Sequence, residues 1–234
     1  MTPPETPARP ARGPVPSLRE QKKLVTARDL ADAAYTLATT RGYDEVSTDD
    51  VTTRAGYSRR TFANYYSCKQ EAVVDGFLLR IGLRGRRIEE LSPGPAEDMP
   101  DSFDGVIERA ERFVLDLVEG PTVEEIRRFA LLVHEHATLL PYVHAALVSF
   151  KQSEFNSALS EVFGHLRVSM FFGGVIGTLT GVIELILGPL AAPRGLPDSP
   201  APTAPGPLPL ADLDRAREMI RVAFDYLRTG FAGT

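Results

Sequence analysis

A single cysteine, Cys68, in 234 residues excludes a disulfide framework and any metal site built on several thiolates, and it fits a reducing cytoplasm. Tryptophan is absent and aromatic residues make up only 8% of the chain, which argues against a carbohydrate-stacking cleft. Strand-period alternation between Asn-Gly or Asp-Gly turns is missing, and no internal repeat is visible. The opening MTPPETPARPARGP contains no apolar stretch of the kind a secretory leader needs. A basic excess is lacking too: 26 lysines and arginines face 31 acids, a net charge of −5. Any affinity for nucleic acid must therefore come from a local patch. The enzyme signatures G-x-S-x-G, P-loop, H-E-x-x-H and the Rossmann fingerprint do not occur. No enzyme activity, cofactor or metal is expected.

Proline is present but confined. Six of the 19 prolines lie in residues 3–16 and eight in residues 189–209, while residues 17–92 contain none. Proline fixes φ and removes a backbone donor, so the two rich stretches read as a disordered arm (1–20) and a loose connector (189–209). Between them the apolar period is helical. Leu30, Ala34, Leu37 and Ala38 share one face between Asp29 and Arg41, and Gly42 ends the helix. Further helices are expected over 69–90, 102–119, 122–139 and 141–163, with Pro141 suited to a first turn. A last one runs over about 212–229, with Asp212 as N-cap, Arg228 near its negative pole and Gly230 beyond it. The expected fold class is all-α with about nine helices.

Residues 47–66 read STDDVTTRAGYSRRTFANYY. Ser47 caps a short helix, with Asp50 closing a capping box and Val51 pointing inward. Ala55 and Gly56 make a tight turn, and Ser58 caps a second short helix with Phe62 inward. Two short helices joined by a glycine turn form a helix-turn-helix whose second member can enter the major groove. That member, 58–65, carries Arg59, Arg60, Thr61, Asn64 and Tyr65. Arginine can pair with guanine, asparagine with adenine, and a threonine methyl can meet that of thymine. Arg54, Arg59, Arg60 and Lys69 fall in a stretch without an acid, and Lys69 with the start of the next helix can face phosphate. The plainer alternative is that these arginines only solvate a helix hairpin. The two caps, the turn and the ordered polar face favour DNA, with Ser47, Thr48, Ser58, Arg59, Arg60, Thr61, Asn64, Tyr65 and Lys69 as the contact set.

Residues 27–73 resemble the N-terminal DNA-binding domain of TetR-family transcriptional regulators. The resemblance rests on Ala33-Ala34, Gly42-Tyr43, Ala55-Gly56, Ser58, Thr61, Tyr65 and Lys69. Departures are Ala38 in place of the usual phenylalanine, Thr52 in place of alanine, Cys68 in place of a small polar residue, and Ala63 in place of a frequent aromatic. The resemblance implies a helix-turn-helix domain over 21–68 and a ligand-binding, dimerising helical domain over 69–234. It also implies a homodimer on a palindromic double-stranded operator, commonly repression, and release by a small-molecule effector.

Residues 168–192 contain one charge, Glu184, and are long enough to span a membrane by hydropathy alone. Gly173, Gly177 and Gly181 fall four apart and line one face, which permits close approach of another helix. Glu184 within the run, and the position this run would hold in the resembled family, favour a buried dimer contact over a membrane span. Paired with the face of Ile220 and Phe224, this run is expected to form a four-helix bundle between subunits.

His134 and His136 project about 200° apart on a helix and cannot share a metal. His136 reads as a core histidine, or as a polar anchor in an apolar pocket. The pocket walls expected from inward faces are Phe113, Leu117, Phe129, Leu132, His136, Leu147, Phe150 and Met170, all of which are equally compatible with plain core. Composition suggests a largely apolar ligand. The competing reading is a ligand-independent DNA-binding or architectural protein of the same fold.

Overall fold

The computed structural model describes residues 17–83, 102–151, 154–187 and 210–231. Residues 1–16 of the expected arm (1–20) and the proline-rich connector lie outside the described residues, whereas residues 18–20 of that arm are helical. Ten α-helices and one 3₁₀ turn make up the described chain, and no strand occurs among the described residues. They are α1 (Leu18–Arg41), α2 (Thr48–Ala55), α3 (Arg59–Ala63), α4 (Lys69–Arg80), α5 (Phe103–Leu117) and α6 (Gly120–Glu135). The 3₁₀ turn Ala137–Leu139 follows, then α7 (Leu140–Lys151), α8 (Glu154–Phe163), α9 (His165–Leu187) and α10 (Leu210–Phe231). The all-α expectation holds. The helix expected over 141–163 is described as two stretches, α7 and α8, on either side of residues 152–153, which lie outside the described residues.

Local chemistry sets most boundaries. Gly42 at φ +97° ends α1, Gly82 at φ +75° follows α4, and Gly164 at φ +88° separates α8 from α9; left-handed backbone is disfavoured for residues carrying a Cβ. The boundaries of α1, α4 and α10 differ from the sequence reading. α1 begins at Leu18, eleven residues before the apolar period starts, because a polar, lysine-rich segment can continue a helix whose core face has not begun. The described part of α4 stops at Arg80 rather than 90. α10 begins at Leu210, so Asp212 lies in its first turn rather than at its cap, and Gly230 lies inside its last turn.

Two apolar cores hold the molecule. The first gathers α1, α2, α3 and α4 with Leu117, Ile126, Phe129, Leu132 and Leu139. The alanine-rich face of α1 (Ala31, Ala34, Ala38) lets α4 approach closely: a Cβ built on Gly76 would stand 2.2 Å from the Ala31 carbonyl oxygen. Phe77 of α4 stacks on Phe129 of α6 at 3.8 Å between ring centroids, and the Tyr35 hydroxyl donates to Glu125 Oε2 at 2.8 Å. Packing therefore continues across position 68, the boundary expected between the two domains. The second core joins α5, α8, α9 and α10 through residues such as Ile107, Phe171, Ile220 and Phe224. Each large apolar side chain buried there contributes roughly 1.5–3 kcal/mol.

Candidate nucleic-acid interface

The Ser47 hydroxyl accepts from the Asp50 backbone N–H at 3.2 Å, and Asp50 Oδ2 accepts from the Ser47 N–H at 2.9 Å. This is the reciprocal capping box expected of α2. The Ser47 hydroxyl bond, with Arg41 nearby, holds the Asp50 carboxyl at about 2, well under its usual value. Val51 is fully buried beneath α2. Gly56 at φ +75° reverses the chain, and the Tyr57 N–H donates to the Thr52 carbonyl at 2.9 Å. Ser58 then accepts from the Thr61 N–H at 3.0 Å and opens α3. Phe62 points inward and packs on the Tyr66 ring at 5.7 Å.

The hairpin is fastened to its neighbours through phenols. Tyr57 donates to Asp29 at 3.0 Å, and Tyr66 lies 2.6 Å from Asp75 and 2.9 Å from the Ala27 carbonyl. With its inner face so held, α3 presents Arg59, Arg60, Ala63 and Asn64 outward, with Asn64 as its C-cap. Thr61 is half-buried and its hydroxyl is paired with that of Ser58 at 2.9 Å. Thr48 and Tyr65 are half-buried at the edges of the same surface.

Two of the expected contacts are placed differently. Arg59 is exposed, yet its guanidinium donates to both carboxylate oxygens of Asp49, one helix back. That bond holds the Asp49 carboxyl below its usual range and raises Arg59. The stretch free of acids in sequence is thus not free of them in space. Lys69 does not project toward solvent. Its Nζ donates to the carbonyls of Tyr43 and Val46, both at 2.7 Å, and sits 4.0 Å above the Tyr43 ring. Burial lowers its pKa, and the ammonium serves the loop between α1 and α2. The expectation of a Lys69–phosphate contact is corrected accordingly.

Residues that sequence reading missed lie on the first turns of α1, where Arg19, Lys22 and Lys23 are exposed. Their spacing, i, i+3 and i+4, was visible as a helical signal.

The described members of the expected pocket walls are mostly plain core. Leu117, Phe129 and Leu132 are buried in the first core, Phe113 borders both cores, and Met170 is 58% exposed. The side chains of Leu147 and Phe150 lie outside the described residues. His136 ends α6 and turns toward the loop after α1. Its Nδ1 is 3.6 Å from Asp44 Oδ1, and its ring is 4.5 Å from that of Tyr43. That placement makes it a junction residue rather than a pocket wall.

The expected dimer residues also separate. Ile220 and Phe224 are fully buried inside the chain's own second core, so they are not interface residues. An amphipathic helix can cover its own subunit as readily as a partner. Gly181 faces Met219 within the chain, whereas a Cβ on Gly173 or Gly177 would meet nothing within 4 Å. No helix among the described residues is long and apolar enough to cross a membrane. Among the described residues, no cluster of three or more histidine, cysteine, aspartate or glutamate side chains suits a metal.

Residues 30–73 match the family model described as bacterial regulatory proteins, tetR family. No curated protein matches the chain.

Proposed function

We propose that this chain, a DNA-binding helix-turn-helix regulator of the tetR family by its N-terminal domain, is a repressor that grips a palindromic operator as a homodimer. The carrying observation is the doubly capped α2–α3 hairpin, whose inner side chains Val51 and Phe62 are buried while Arg60 and Asn64 stay exposed. Arg60 and Asn64 are the base readers in this reading. Ser47, Thr48, Ser58, Thr61 and Tyr65 flank them toward phosphate, while Arg59 is held back from phosphate by its pair with Asp49. Two α3 helices separated by about 34–36 Å would enter successive major grooves. The location is the cytoplasm.

For the dimer, the supporting feature is a face of α9 comprising Leu166, Met170, Gly173, Gly177 and Thr180, all exposed at alternating spacings of three and four. Val222 and Tyr226 of α10 add exposed apolar surface. Docked on a second copy, this stripe would form the four-helix seam. Gly177→Leu should leave the subunit fold intact and abolish the dimer by light scattering; a persisting dimer would exclude this face.

Release by a small, largely apolar effector completes the reading. A ligand can act only through its differential affinity for DNA-competent and DNA-incompetent states. The ligand-independent reading has one specific point in its favour, the close stacking of Phe77 on Phe129 where a pocket wall was expected. Selecting bound sequences from a random duplex library tests the first claim. Arg60→Ala should then cost about 1–3 kcal/mol and relax one base position. Screening metabolites for release from the selected duplex separates the two readings.

A further inference from the structure

The match to the family begins at residue 30, yet α1 begins at Leu18. Among the described side chains of residues 18–29 none is buried. At 1.5 Å per residue these three turns extend for roughly 18 Å before the first core residue, Leu30. Among those side chains only Thr26, Ala27 and Asp29 are half-buried, beside Tyr57 and Tyr66, so the earlier turns, with their exposed lysines and leucines, need another reason to be there. Residues 18–29 hold four cations (Arg19, Lys22, Lys23, Arg28) against two acids, Glu20 and Asp29. The Asp29 carboxylate accepts from the Tyr57 hydroxyl.

Where this extension meets the helix-turn-helix, a shallow groove is lined by Leu18, Arg19, Lys22, Lys23, Thr26 and Tyr65. No acid lines it. Tyr65 follows Asn64, the C-cap of α3, so the groove continues the surface assigned above to DNA. We infer that the N-terminal turns of α1 form a second phosphate-binding element, in which Arg19, Lys22 and Lys23 hold the DNA backbone beside the major-groove site.

Three cations on one helical face, spaced i, i+3 and i+4, follow a backbone without reading sequence. Leu18, Thr26 and the Tyr65 ring supply apolar walls for deoxyribose. The inference rests on the proposed DNA-binding function and lengthens its footprint beyond the recognition helix. It also supplies local positive charge on a chain whose net charge is −5.

The test uses the full chain and a fluorescein-labelled random-sequence duplex, since phosphate contacts are sequence-independent. Each phosphate neutralised contributes about 0.9 to the slope of log affinity against log salt. The triple variant Arg19→Gln/Lys22→Gln/Lys23→Gln should lose about three from that slope per subunit and keep its thermal midpoint, because none of the three side chains is buried. Arg19→Lys should retain the slope. Binding by the unaltered chain together with an unchanged slope in the triple variant would overturn this inference and leave the DNA-binding function standing. No binding of any duplex by the unaltered chain would overturn both. Loss of binding to phosphatidylglycerol vesicles, with the DNA slope intact, would assign the element to a lipid surface and overturn it as well.

Discussion

Asp49 in the first turn of α2 and Arg59 at the start of α3 are joined by a two-pronged ion pair across the helix-turn-helix. The pair is exposed on both sides, so it contributes little to stability in water. Its larger effect is on charge, since it cancels one of the cations nearest the reading surface. Asp49→Ala should free Arg59 for phosphate and steepen the salt dependence of DNA binding by about one. Fluorescence anisotropy across a salt series reads this directly; an unchanged slope would place Arg59 away from DNA.

Lys69 behaves in the opposite way. Its ammonium is spent on the Tyr43 and Val46 carbonyls, which shape the loop leading into Ser47 and α2. Lys69→Met leaves both carbonyls without this donor and should lower stability by about 2 kcal/mol, the scale of hydrogen bonds to a charged group. The salt slope of DNA binding should stay constant. A slope lower by about one, with stability unchanged, would restore Lys69 to the phosphate contacts.

Gly76 carries no chemistry and is nonetheless the tightest point of the first core. Any side chain there would press on the Ala31 carbonyl at 2.2 Å and on Tyr35 Cβ at 2.6 Å. Gly76→Ala should therefore force α1 and α4 apart and cost about 3 kcal/mol, at the upper end of overpacking effects. Urea unfolding followed by circular dichroism measures it. A midpoint equal to that of the unaltered chain would show that the two helices can separate freely.

Asp50 links the same region to pH. Its carboxyl titrates at about 2 in the folded protein, against 3.8 ordinarily, chiefly through the Ser47 hydroxyl. A depressed folded value means that the contribution is complete above about pH 4 and is lost as pH falls through about 2. Asp50→Asn should remove that component, flattening the dependence of the urea midpoint on pH between those limits. Parallel curves for the two proteins would show that the capping box does not survive in solution.

Much of this was written in local sequence. The caps at Ser47 and Ser58, the glycine turn at Gly56, and the inward Val51 and Phe62 follow from interactions within a few residues. Such interactions are the part of a fold that spacing alone encodes. The start of α1 was less legible, because the apolar period marks where burial begins and not where a helix begins.

Sequence by itself determined an all-helical chain and a helix-turn-helix with its reading face outward, because capping and apolar period act over one or two turns. Tertiary structure alone decided which charges remain available. Asp49 reaches Arg59 from ten residues away, Lys69 turns back to carbonyls 23 and 26 residues earlier, and Ile220 and Phe224 cover their own subunit. Those outcomes depend on which surfaces meet when helices distant in sequence pack together, and no local pattern records that choice.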